Sequence, residues 1–127
     1  LAATVIACPD PAIATAGKIV LRLMESLGIS EQAKTRLRFF PNGYAAMKWL
    51  AQSAGMHEIG ITQNTEILAN KGVTYVAPLP DAFQMKTVYT VGVAARSRNA
   101  SLARDFAARL TAPGFRSKLK AAGYELA

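Results

Sequence analysis

The chain has 127 residues, a length that suits one domain, and 51% hydrophobic residues, enough to build a sizeable core. Its formal charge of +7 and pI near 9.9 suit anionic ligands, nucleic acid or anionic membrane surfaces as partners. A single cysteine and a single histidine exclude a disulfide framework, a CxxC redox pair and a zinc site built within one chain, and no apolar run is long enough for a membrane-spanning helix.

Thr4-Val5-Ile6-Ala7 is a β-branched run that stops at Pro9-Asp10-Pro11, which reads as a strand entering a loop with Cys8 buried at its end. After Gly17, the residues Ile19, Val20, Leu23, Met24 and Leu27 recur at helical spacing, and Gly28 closes that helix. Leu37-Arg38-Phe39-Phe40 predicts the next strand. Asn42 is a good N-cap for a helix carrying Ala45, Met47, Leu50, Ala51 and Ala54 and ending at Gly55. A third strand is expected over Glu58-Ile59-Gly60-Ile61-Thr62, then a short helix capped by Thr65 that stops near Asn70 and Gly72, then a fourth strand, Val73-Thr74-Tyr75-Val76.

Strands alternating with helices at this spacing predict an α/β fold with a parallel-rich sheet flanked by helices. From Ala77 the pattern changes. Pro78 and Pro80 bracket an extended stretch, and Lys86 to Ala95 reads as a longer strand with Val88, Val91 and Val93. Leu102, Ala103, Phe106, Ala107 and Leu110 then form an amphipathic helix, and Pro113 opens a last one that carries Phe115 and Leu119 and ends at Gly123. The basic residues Arg96, Arg98, Arg104, Arg109, Arg116, Lys118 and Lys120 fall in this region and read as a solvated face, with no nucleic-acid motif among them.

Ligands of an open α/β sheet lie at the carboxyl ends of its strands. Three junctions qualify: the loop from Asp10 to Gly17 with Thr15 and Ala16, then Pro41-Asn42-Gly43-Tyr44, then Thr62-Gln63-Asn64-Thr65. Each leads into a helix, whose first N–H groups and partial positive charge suit an anion, with Thr15, Thr62, Gln63 and Asn64 able to add neutral hydrogen bonds. Catalysis has no constellation to rest on. His57 stands alone beside Glu58, no serine lies in a GxSxG turn, and the eight acids show no pair that spacing forces together. No phosphate loop, dinucleotide fingerprint or metal-ligand cluster occurs, so the expectation is a binding protein and not an enzyme, with no cofactor and no metal.

The order and spacing of these loops resemble the molybdate-binding protein family, type 2 periplasmic binding proteins that serve ABC importers. The likeness rests on Asp10-Pro11 followed by Ala16-Gly17, on Asn42-Gly43-Tyr44-Ala45-Ala46-Met47, and on the Glu58-Ile59-Gly60-Ile61 strand. It continues through Lys71-Gly72-Val73-Thr74-Tyr75-Val76, a Pro-rich crossover, and an ending with Ala103, Phe106, Pro113, Phe115 and Gly123-Tyr124. The effector domains of LysR-type regulators share the fold more distantly and supply the alternative reading, a ligand-sensing domain behind a helix-turn-helix.

The family resemblance implies an oxyanion held by backbone N–H groups at Ala16 and Gly43, within a site that takes in Thr15, Gly17, Asn42 and Gln63. Gln63 stands where well-known members carry a tyrosine whose hydroxyl makes the third contact, so a different small anion or another polar solute is an alternative to molybdate. Since the sequence begins at Leu1, the resemblance further implies the C-terminal half of a two-lobed periplasmic or secreted receptor. Residues 1–76 would form the second lobe, 77–86 a crossover and hinge, and 87–127 a strand and helices belonging to or crossing toward the first lobe. The implied partners are a small anionic solute and an ABC permease, with no nucleic acid, and half a receptor is expected to bind ligand weakly and to self-associate as a dimer.

Overall fold

The computed structural model describes residues 2–126, which divide into two compact units, Leu1–Gln84 and Met85–Ala127. The division falls inside the stretch expected to cross between two bodies.

In the first unit, β1 (Val5–Pro9) lies between β2 (Leu37–Phe40) and β3 (Glu58–Gly60) in a sheet of order β2-β1-β3. Both pairings are parallel, with Ile6 opposite Leu37 and Ile59, and Ala7 opposite Arg38 and Gly60. The parallel α/β expectation is thereby met. As the central strand, β1 is covered on both faces, so nearly every residue in it is buried. Ile6 and Cys8 join Val20, Leu23 and Met24 of α1 (Thr15–Ser26) and Ala33 of α2 (Ser30–Lys34) in one core cluster. Ala7 faces the other way, onto Ala46 and Met47 of α3 (Gly43–Gln52), with Ile67 of α4 (Asn64–Leu68) packed alongside. This two-residue alternation puts α1 and α2 on one face of the sheet and α3 and α4 on the other. Burying side chains such as Ile6, Val20 and Met47 contributes roughly 1.5–3 kcal/mol each.

Helix ends follow local chemistry. Asn42 caps α3 by accepting from the Ala45 N–H at 2.8 Å, and Gly28 takes the left-handed conformation, φ 65°, just past α1. α2 has no counterpart among the expected elements, because five residues are too few to show a period, although Ala33 is fully buried. α3 stops at Gln52 with Ser53 as its extended C-cap, short of Gly55. At α4 the cap position belongs to Gln63, so Thr65 sits inside the helix and does not cap it. On the outer strand β2, Arg38 lies 4.4 Å over the Trp49 ring, which is itself 5.5 Å from Phe40.

Two expected strands are not formed. Neither 73–76 nor 86–95 is a strand among the described residues; Val76 is 90% and Val88 84% exposed. β-branched composition marks a segment able to fit a pleated surface, and a strand forms only where a neighbouring ladder receives it. The chain places no such ladder beside either segment.

The second unit is a helical hairpin of α5 (Ala100–Thr111) and α6 (Pro113–Ala121), with Ala112 serving as C-cap of the first and N-cap of the second. Pro113 opens α6, and Gly123, φ 91°, follows its end. Tyr89 meets Tyr124 edge-on at 5.9 Å, and Lys86 pairs with Glu125 at 2.7 Å. No residue of either helix is buried, and Leu102 and Phe106 are 69% and 61% exposed.

Candidate functional site

The β1–α1 connection leaves the sheet toward one face and the β3–α4 connection toward the other. A crevice therefore opens between the carboxyl ends of two neighbouring parallel strands, the position where such sheets take ligands. The three junctions singled out in the sequence all lie along this edge. The Asp10 N–H donates to the Phe40 carbonyl at 2.7 Å, and the Ile61 N–H donates to the Ala7 carbonyl at 3.0 Å, so the three strand ends are tied together where the loops begin.

At the first junction, α1 starts without a side-chain cap. Ala14 occupies the N-cap position and has nothing to offer, no acidic residue lies in the first turn, and the Asp10 carboxylate accepts from the Ala12 N–H at 2.8 Å. Gly17 N–H turns inward to the Ala14 carbonyl at 3.1 Å. The first-turn N–H groups of Thr15 and Ala16 have no acceptor within the helix, as helix geometry requires; Thr15 is exposed and Ala16 half-buried. Gly17 is buried, and a Cβ there would collide with the backbone of Pro9, Asp10 and Pro11. Its small size thus serves the close approach of the loop to its own helix.

At the second junction the donors are engaged within the chain. Ala45 N–H goes to the Asn42 side chain, Ala46 N–H to the Asn42 carbonyl at 3.2 Å, and Gly43 N–H to Glu66 Oε1 at 3.1 Å. The other oxygen of Glu66 accepts from the Thr62 hydroxyl. A Cβ on Gly43 would strike both the Thr62 hydroxyl and the Glu66 carboxylate, so the glycine makes room for this acid. Glu66 therefore joins the second and third junctions into one network that includes Gly43 and Thr62. Sequence reasoning did not single it out, because the contact spans 23 residues and only its place in the first turn of a short helix hinted at a helix-end role.

At the third junction Gln63 is half-buried at the N-cap of α4 and makes no side-chain cap bond to it. The Asn70 side-chain amide donates to the Glu66 carbonyl at 2.8 Å and holds the other end of this helix. Thr15, Ala16 and Gly17 thus sit together at one helix start, and Asn42, Gly43 and Gln63 belong to the two connections that Glu66 bridges.

The edge offers backbone donors and neutral polar groups. Cys8, near it in sequence, is fully buried, and its thiol is pushed up to about 11, first by burial and then by the nearby Asp10 charge. That places it far from thiolate chemistry at neutral pH. Among the described residues, no group of three His, Cys, Asp or Glu side chains is arranged to hold a metal ion, and no helix is long and apolar enough to cross a membrane. His57 adopts φ 65° in the turn before β3, where its carbonyl and that of Met56 accept from the Thr4 hydroxyl.

Comparison with known proteins gives one match. The family model described as bacterial extracellular solute-binding protein covers residues 2–125. No curated protein and no solved structure matches the chain.

Proposed function

The chain belongs to the family of bacterial extracellular solute-binding proteins, and on that premise we propose that it is part of the substrate-binding component of an ABC import system and captures a small anion. In this reading it acts in the periplasm or outside the cell, hands its solute to a membrane permease, and transforms nothing.

One observation carries the anion. Of the two long helices that start at the strand ends, α3 is capped by Asn42 and Glu66, whereas α1 starts with an alanine cap and no acid in its first turn. An uncapped helix start beside the switch-point crevice favours a negative charge through oriented N–H groups alone. Thr15, Ala16 and Gly17 would form the anion subsite, and Asn42, Gly43 and Gln63 would line the neighbouring side. Gln63 offers an amide in place of a phenol, which suits an oxyanion or another polar solute that can accept a hydrogen bond.

The unit Leu1–Gln84 would then be one lobe of a two-lobed receptor, with the Pro-rich stretch near 77–86 acting as hinge and crossover. The exposed apolar residues Val76, Val88, Leu102 and Phe106 would be covered by a partner lobe, or by a second copy when the chain is alone.

Titration of the isotope-labelled chain with molybdate, tungstate, sulfate and phosphate tests the anion, with the amides of Thr15 and Ala16 as reporters. Saturable shifts at these amides with at least one oxyanion are expected, and this readout detects affinities as weak as about 1 mM. Absence of a saturable response to all four sinks the anion reading and moves the search to uncharged solutes.

A further inference from the structure

We propose that Glu66 is a specificity-determining residue that directs the solute's charge to α1 and selects small monoanions over dianions, an inference that rests on the anion reading above. The α3 start already holds an anion, and it is the chain's own. Glu66 reaches from α4, accepts from the Gly43 N–H with one oxygen and from the Thr62 hydroxyl with the other. The Cβ-free Gly43 admits it. A carboxylate at a helix N-terminus is the partner that the helix dipole favours, so this contact neutralises the end of α3.

Two consequences follow for a solute in the crevice. First, a bound anion must compete with Glu66 for the Gly43 N–H but meets no such competitor at the α1 start, where no acidic residue lies in the first turn. Second, Glu66 leaves a fixed negative charge on the connection that forms the crevice's other side. Its repulsion acts twice as strongly on a dianion as on a monoanion at the same place. The chemistry of the site is that of a small monoanion, a carboxylate or a singly charged oxyanion, seated on Thr15 and Ala16.

Perrhenate and molybdate, two tetrahedral oxyanions that differ in charge, separate these effects when titrated against the labelled chain and against Glu66→Ala. In the wild type, Ala16 is expected to respond, Gly43 to stay silent, and perrhenate to be preferred to molybdate. In Glu66→Ala, Gly43 should begin to respond, and the preference should shift toward molybdate by about two- to thirty-fold, the span of one charge at a helix end. Glu66→Gln keeps the size and the hydrogen-bonding reach while losing the charge; it should shift the preference in the same direction and serves if the alanine variant does not fold. An unchanged preference in a folded variant, or a Gly43 response already present in the wild type, overturns the proposal. If Ala16 is silent in every protein, the anion reading at α1 falls, and Gly43 alone then decides on Glu66. Its response only after substitution upholds the displacement by Glu66, and its silence throughout refutes it.

Discussion

Gly17 has the narrowest surroundings of any residue at the strand ends. The backbone of residues 9–11 fills the space a side chain would need, and backbone gives way less readily than a flexible side chain. Gly17→Ala should destabilise the chain by about 1–3 kcal/mol in urea denaturation, the cost of overpacking a close contact; an unchanged midpoint would show that the loop can move aside. Cys8 makes a different demand. Its folded pKa is raised to about 11 against an ordinary value of 9.0, so the folded state holds the thiol proton more tightly than the unfolded chain does. The resulting stabilisation is complete below pH 9 and is lost as pH rises toward 11, on the order of 2 kcal/mol. Denaturation midpoints across that range should fall in the wild type and fall less in Cys8→Ala. The native thiol should also resist Ellman's reagent at pH 8 until the protein is unfolded.

Among the elements, α3 shows how a single cap fixes a boundary. Asn42 satisfies one orphan N–H directly, so Asn42→Ala should cost about 1 kcal/mol in the same denaturation assay, and Asn42→Ser should recover much of it. Signals of this kind were legible in the sequence because they are local: Asn42 before α3, Gly28 after α1, Pro113 and Gly123 around α6. The three strands were legible as well, since β-branched and aromatic runs sat between turn residues and alternated with helices. What could not be read depends on residues distant in the chain. Val73–Val76 and the valines after Lys86 carry the composition of strands but have no ladder to join. Glu66 is an ordinary acid until the fold brings it to Gly43. The candidate site was therefore readable as three loops, whereas the difference between an open and a filled helix start was not.

For the whole molecule, the division at Gln84 and Met85 places an extended segment without secondary structure next to a well-packed α/β unit. Limited trypsin digestion should cut first at Lys86 and Arg96, leaving a resistant fragment that retains β1 to α4; early cleavage at Arg22 or Lys48 instead would contradict that division. The apolar side chains exposed along this segment and on α5 lead us to expect self-association. Light scattering should then give a mass above 13.5 kDa that grows with concentration, and a constant monomer mass would rule this out. The stack of Arg38, Trp49 and Phe40 gives such experiments their own optical signal. Trp49 is the chain's one tryptophan and sits on α3 against the sheet, with the Arg38 guanidinium 4.4 Å over its ring. Its emission therefore follows the melting of the first unit alone and is blind to the helical hairpin, whose unfolding must be followed by circular dichroism.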